Sequence, residues 1–327
     1  MLYACWRDAV RLKVNGTKGN LAENVLENRM RARWVTFLPI YIVAVLFCIS
    51  CGLMLKSTQS ADSVAAQKRP RPLVMGHRGG AGLWPENTLH GFSHAVEMGV
   101  DVLEIDIHST ADGVLVIIHD ETLERTTNGK GRVNSLTLAR LKALDAGYHW
   151  TNDGGASFPF RGLGLTVPTL EEVFEAFPRM RFNIDIKQEQ PSLVKPFCRM
   201  IREHKMESKV MVASFKPEAL DEFRRECREV STSASPADVR ALLALKNGER
   251  RGEQVTVAQA VQIPEYAAGR QVLTRELVEA AHERHLEVHA WTINDEAGMR
   301  RMLDLGVDGI ITDYPDRLIA LLDRERR

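Results

Sequence analysis

Neither sign of charge is in excess along these 327 residues: 43 Lys and Arg stand against 43 Asp and Glu, and the sequence pI is about 7.2. That balance excludes a protein whose main work is to grip nucleic acid through a basic surface. Cysteine is sparse, and five residues cannot staple a disulfide scaffold of this length. The 13 Pro and 23 Gly form no biased tract, which excludes a collagen, a mucin-like stalk and wholesale disorder. What remains is 44% hydrophobic and 26% charged, a globular composition long enough for one large domain or two ordinary ones.

In one place charge is missing altogether. Residues 34–55 are 22 consecutive positions without an ionised side chain. As a helix at ~1.5 Å per residue they cover roughly 33 Å, one hydrocarbon core. A buried core helix is the alternative, but such a helix shows a polar stripe or a charge within ~20 residues. Pro39 falls in the first turns, where its missing N–H costs least. Residues 1–33 carry seven Lys/Arg against three acids. This basic flank belongs in the cytosol by the positive-inside tendency, which exports everything after Lys56 to the periplasmic or extracellular side, although Lys56, Lys68, Arg69 and Arg71 weaken the asymmetry. A cleaved signal beginning at Met30 competes, but its small-residue run Val64-Ala65-Ala66 lies far from Leu55, so an uncleaved anchor is favoured. Residues 56–70 read as a linker and 71–327 as the body. Within the body Cys198 and Cys227 are expected as packed free thiols, with pairing in an oxidising compartment left open.

From residue 71 short apolar runs alternate with amphipathic stretches, the pattern of a parallel sheet with crossover helices. Eight strands are predicted at 73–77, 102–108, 182–187, 210–214, 229–232, 258–263, 286–291 and 307–312, with helices between them. The first helix is expected to be capped by Asn87. Eight β/α units over about 250 residues predict a TIM (β/α)8 barrel. The stretch 120–167 is too long for an ordinary connection and reads as an insertion after strand 2, preceded by a hairpin-like strand at 114–118. The fifth unit is the weakest, so a doubly wound sheet is the alternative.

Chemistry gathers at the strand ends. Strand 1 closes on His77 and Arg78 and then on glycines that allow backbone to approach an anion. A histidine at a strand end is, alone, more often structural than catalytic. On strand 2, Glu104, Asp106 and His108 alternate with Leu103, Ile105 and Ile107 and so share one face. In a barrel the apolar set faces the helices and two carboxylates point into the mouth, where a hard metal ion is their simplest partner. Asp185 and Lys187 share a face in the same way, with an ion pair at a sheet end as the plainer reading. His119 supplies a second imidazole.

Together these residues resemble the glycerophosphodiester phosphodiesterase family. The resemblance rests on His77-Arg78-Gly79, Pro85-Glu86-Asn87-Thr88, Glu104-x-Asp106, Thr110-x-Asp112-Gly113, His119-Asp120, Pro168-Thr169-Leu170, Trp291-Thr292-x-Asn294 and Gly306-Val307-Asp308-Gly309-Ile310-x-Thr312-Asp313. It spans residues 73–318. It implies a TIM barrel with an inserted subdomain and one divalent cation, Mg2+ or Ca2+, held by Glu104, Asp106 and Asp185. His77 and His119 match the acid/base pair, and Arg78, Glu86, Lys187 and Trp291 stand as substrate-binding residues. Asp185 replaces the Glu found in much of the family, whereas the branch resembling lysophospholipase D enzymes shares the Asn-Ile-Asp-Ile-Lys form. The family further implies that a neighbouring glycerol hydroxyl attacks first, giving a cyclic phosphate that water opens.

The function expected is metal-dependent hydrolysis of glycerophosphodiesters to glycerol 3-phosphate and an alcohol by a membrane-anchored enzyme. The alternative is a lysophospholipase D using the same site, which needs an apolar ramp along the mouth; Leu136, Leu138, Leu141, Leu144, Tyr148, Trp150, Phe158 and Phe160 of the insertion are candidates. From another class comes an inactive barrel that binds lipid head groups, against which stand the two histidines and three acids. His289 shares a face with Trp291, as an internal barrel layer or as a neighbour of the substrate.

Overall fold

The computed structural model describes residues 71–244 and 256–325, all within the compact unit Pro70–Arg327. The expected flank, membrane span over 34–55 and linker lie outside the described residues. Among the described residues no helix is long and apolar enough to cross a membrane.

The strands are β1 (Leu73–His77), β2 (Val102–Ser109), β3 (Leu115–Ile117), β4 (Arg181–Ile186), β5 (Val210–Ala213), β6 (Ser231–Thr232), β7 (Ala260–Pro264), β8 (Tyr266–Ala267), β9 (Arg270–Gln271), β10 (Glu287–Trp291) and β11 (Gly309–Thr312). The helices are α1 (Leu89–Met98), α2 (Leu138–Lys142), α3 (Leu170–Ala176), α4 (Val194–Glu203), α5 (Pro217–Glu226), α6 (Pro236–Ala244), α7 (Arg275–His282), α8 (Glu296–Leu305) and α9 (Pro315–Glu325). Eight parallel strands run in the order β6-β5-β4-β2-β1-β11-β10-β7. The two ends of that order meet through a parallel bridge between Ser233 and Ala260, with Ala234 N–H donating to the Ala260 carbonyl at 2.7 Å. The sheet is thus a nearly closed barrel, and the open doubly wound alternative is excluded. The fifth strand keeps only Ser231 and Thr232 of the four residues expected.

Alternation on β2 does what its pattern requires. Leu103, Ile105 and Ile107 are fully buried in the core that also holds Phe92 of α1 and Phe174 of α3, an outward apolar face covered by helices. Glu104 and Asp106 face inward. Register then assembles the site: His77 sits beside Glu104 across β1 and β2, and Asp106 beside Asp185 across β2 and β4.

Two local expectations are corrected. Thr88, not Asn87, caps α1: its hydroxyl accepts from Gly91 N–H at 3.1 Å. Asn87 turns with φ 55 and gives its side chain to the site. Cys198 and Cys227 are not free thiols but a disulfide. Cys198 lies in α4 and Cys227 caps the C-terminus of the neighbouring α5, which brings their Cα atoms to 5.8 Å.

The insertion is a small subdomain with its own core. β3 pairs antiparallel with β2, and Val116, Ile118, Leu123, Val133 and Leu141 pack together with Leu136, Leu138 and Leu144 against them. Those leucines therefore stabilise the insertion and do not form a ramp at the mouth. Trp150 donates its indole N–H to the Ala81 carbonyl at 3.0 Å, tying the insertion to the loop after β1.

Candidate active site

The loop after β1 holds an unusual backbone. Arg78 lies at φ 51 and Gly79 at φ 82, and a Cβ on residue 79 would come within 2.5 Å of the Phe92 ring. Only glycine meets both demands there. Strain of this kind is sustained where surrounding contacts over-determine it. Here the Arg78 N–H donates to Glu104 at 2.9 Å and the Arg78 guanidinium donates to Glu86 at 2.9 Å.

The strand ends open into a cavity of about 500 Å3. Its charged arc comes from β1, β2, β4 and their loops: His77, Arg78, Glu104, His119, Asp185 and Lys187. Asp106 lies deeper, 1% exposed. The opposite arc, from β7, β10, the segments after β5 and β6, and α6, is mainly apolar and includes Phe215, Ala234, Val239, Ile263 and Trp291, with Gln262 among its few polar groups. Phe215 stands edge-on to Trp291 with ring centres 5.7 Å apart.

Each imidazole is aimed by a carboxylate. His77 donates from Nδ1 to Asp313 at 2.6 Å, and His119 from Nδ1 to Asp120 at 2.6 Å. A carboxylate only accepts, so both rings carry hydrogen on Nδ1 and keep Nε2 for proton transfer at the cavity. Burial alone would lower the His77 pKa, but the bond to Asp313 and the charge of Glu104 outweigh it and raise it above 6.5. Asp313 is itself held by Asn294, which donates at 2.6 Å.

Glu104, Asp106 and Asp185 are 6%, 1% and 6% exposed. Three carboxylates in so little water require positive charge. Lys187 supplies part, with Nζ 3.1 Å from Asp106 and 2.6 Å from Asp185. Burial and the charge of Asp106 still push Glu104 up to about 7, and burial raises Asp185 as well. Burial would do the same to Asp106, but Lys187 and Arg78 hold it below its ordinary value. The Lys187 ammonium faces Oδ1 of Asp106, whereas Oδ1 of Asp185 is buried without a hydrogen-bond partner. An orphaned carboxylate oxygen on Asp185, beside two further buried acids, fits a hard divalent cation bound through oxygen. Cys198, Cys227 and Glu229 also cluster, but the disulfide leaves that cluster no thiolate to offer.

Of the residues singled out in the sequence, His77, Arg78, Glu104, His119, Asp185, Lys187 and Trp291 line one cavity and Asp106 lies directly beneath it. Glu86 does not line it. Its two oxygens are taken by Arg78 and by a bidentate pair with Arg125 at 2.6 and 2.8 Å. Arg125 also grips Asp120 at 2.6 and 3.1 Å, so it links Arg78 to the imidazole of His119 through Glu86 and Asp120. The fork holds Asp120 at a pKa of about 2, against the burial that would raise it. Arg125 stands out in no sequence pattern, and the orienting carboxylates Asp120 and Asp313 are visible in the sequence only as members of short motifs.

Residues 77–317 match the Glycerophosphoryl diester phosphodiesterase family. A glycerophosphodiester phosphodiesterase of Bacillus subtilis is 33% identical over 294 residues, covering 84% of this chain and 95% of that one. A lysophospholipase D of Mus musculus is 28% identical over 272 residues, 76% of this chain and 85% of that one. A solved structure of an Oleispira antarctica phosphodiesterase in complex with the product sn-glycerol-3-phosphate superposes with a TM-score of 0.61 and 26% identity, covering 77% of this chain and 97% of that one. With the family model matching most of the chain and a relative of 33% identity covered almost end to end, the chain belongs to the glycerophosphoryl diester phosphodiesterase family.

Proposed function

We propose that the enzyme hydrolyses glycerophosphodiesters to glycerol 3-phosphate and an alcohol, using His77 and His119 as the acid/base pair beside a divalent cation held by Glu104, Asp106 and Asp185. The observation that carries this is the pairing of two carboxylate-aimed imidazoles with three buried acids in one cavity. A phosphodiester needs its anionic oxygens neutralised, a nucleophile deprotonated and an alkoxide protonated. Arg78 and Lys187 face the cavity as cations for the first need. A bound divalent ion supplies Lewis-acid polarisation of the phosphoryl oxygens. His77, raised above its ordinary value, is suited to carry the proton to the leaving alkoxide, and His119 to take one from the attacking hydroxyl. Asp313 and Asp120 hold the tautomers that both steps require. Release of glycerol 3-phosphate from glycerophosphocholine, abolished by chelation and restored by Mg2+ or Ca2+, tests this reading; activity indifferent to chelation contradicts it.

The apolar arc favours a second reading, lysophospholipase D action at the same site. Phe215 is 60% exposed at the rim, and with Trp291, Ile263 and Val239 it offers a surface for an acyl chain that a glycerol head group does not use. Choline release from lysophosphatidylcholine measured beside glycerophosphocholine separates the two. In Phe215→Ser the lysolipid activity falls and the other is spared; equal losses contradict an acyl surface. A membrane anchor at 34–55 suits such a substrate. The Cys198–Cys227 crosslink supports an oxidising compartment and hence an exported barrel. Whole cells would then cleave an impermeant substrate without lysis.

A further inference from the structure

Beneath the cavity a ladder of polar side chains crosses the barrel interior and takes no part in the chemistry above. Asn183 on β4 and Gln262 on β7 line the cavity and face each other as an amide pair. Gln262 Nε2 donates to Asn183 Oδ1 at 2.7 Å, and Asn183 Nδ2 approaches Gln262 Oε1 at 3.4 Å. The same Gln262 nitrogen lies 3.3 Å from His289 Nδ1, and His289 Nε2 lies 3.1 Å from a Glu287 oxygen. His289 is 1% exposed, whereas Glu287, two residues toward the opposite end of the barrel, has a side chain 47% exposed. Space for the imidazole is built in: a Cβ on Gly309 would stand 2.9 Å from its Cδ2.

One hydrogen pattern satisfies the ladder. Glu287 accepts, so His289 carries its hydrogen on Nε2 and Nδ1 accepts from the Gln262 amide. Gln262 then has both hydrogens committed, one to His289 and one to Asn183, ahead of the weaker thioether acceptor of Met211 at 3.8 Å. The pair is left with an acceptor on Gln262 and a second N–H on Asn183. A donor and an acceptor side by side in a largely desolvated floor complement a hydroxyl. Asn183 also stands in register with Glu104, so a hydroxyl held there lies next to the proposed cation site.

We propose that the Asn183–Gln262 pair binds a hydroxyl of the substrate, and that His289 and Glu287 are positioning residues which fix its orientation from below. The proposal deepens the phosphodiesterase reading and rests on it. That hydroxyl is either the terminal hydroxyl of the glyceryl unit or one of a polyol leaving group. Choline brings none, so glycerophosphocholine isolates the first source and glycerophosphoglycerol adds the second.

The test compares wild type, Gln262→Leu, His289→Leu and His289→Asn, the last keeping an acceptor where Nδ1 stood. The two leucine variants are expected to raise KM for glycerophosphocholine roughly tenfold with kcat within about threefold. His289→Asn is expected to stay near wild type, and the phosphocholine ester of propane-1,2-diol, which lacks the terminal hydroxyl, should not distinguish any of them. A rise confined to glycerophosphoglycerol moves the contact to the leaving group and still supports the floor. Unchanged KM for both diesters in folded leucine variants, equal losses on the deoxy substrate, no rescue by Asn, or a 15N spectrum placing the His289 hydrogen on Nδ1 would each overturn it. Should wild type cleave no diester, the functional reading fails by itself. Calorimetric binding of glycerol 3-phosphate then decides the floor, about tenfold weaker binding by Gln262→Leu supporting it and equal binding refuting it.

Discussion

Asp313 and Asp120 decide what the two imidazoles can do. Replacing Asp313 by Asn leaves the shape, but the Asn294 amide claims the new side chain's oxygen and its NH2 is left facing His77 Nδ1, so the ring loses its enforced tautomer and kcat is expected to fall by about two to four orders of magnitude. With Asp313 gone burial is less opposed, and the His77 titration followed by NMR moves to lower pH. The sign carries into stability. A raised His77 contributes stability that is present below pH 6.5 and lost as pH climbs through the raised value. That contribution shrinks in Asp313→Asn, and an unshifted titration contradicts the assignment. Arg125 has a side chain 47% exposed and little core to support, so Arg125→Met is expected to fold as wild type while kcat drops roughly tenfold through the loosened Asp120. Equal kcat in the two proteins would make the fork structural only. Alternation alone placed Glu104, Asp106 and Asp185 on inward faces, because strand period 2 makes such acids share a face, whereas His77 stood out only once the motifs were read together as a family resemblance. Arg125 was out of reach: its partners lie 5 and 39 positions away, across a segment without periodicity.

At the scale of elements, the register of β1, β2 and β4 turns short motifs into a site, and α4 with α5 adds a covalent tie. Cys198 and Cys227 are separated by 29 positions. Closing a loop of that length is worth about 3–4 kcal/mol on chain-entropy grounds. The Cys198→Ser/Cys227→Ser double variant is therefore expected to lose stability on that scale in denaturant unfolding and to keep its kcat, since neither residue lines the cavity. Thiol counting of the non-reduced protein checks the bond itself: free Cys198 and Cys227 would contradict it. Spacing could not foresee the pair, because only the packing of α4 against α5 sets the distance. The capping of α1 shows the same limit from the other side. Asn87 and Thr88 are both good caps by residue type, and the choice fell to Asp106, which claims the Asn87 amide at 2.9 Å.

For the whole molecule, the eight-unit rhythm from residue 71 onward foretold the barrel, and closure at the short β6 is where sequence was weakest and tertiary bonds decided. The charge balance of the full chain conceals a division inside the barrel itself, one arc of the mouth ionic and the other apolar. The central claim is that these arcs serve phosphodiester hydrolysis by two aimed imidazoles over a carboxylate-held cation. Its most direct test is metal-dependent glycerol 3-phosphate release from glycerophosphocholine by wild type, His77→Ala and His119→Ala, after stripping with chelator and re-addition of Mg2+ or Ca2+. The account predicts activity only in wild type and only with metal returned; full activity in either alanine variant, or in the stripped enzyme, would contradict it.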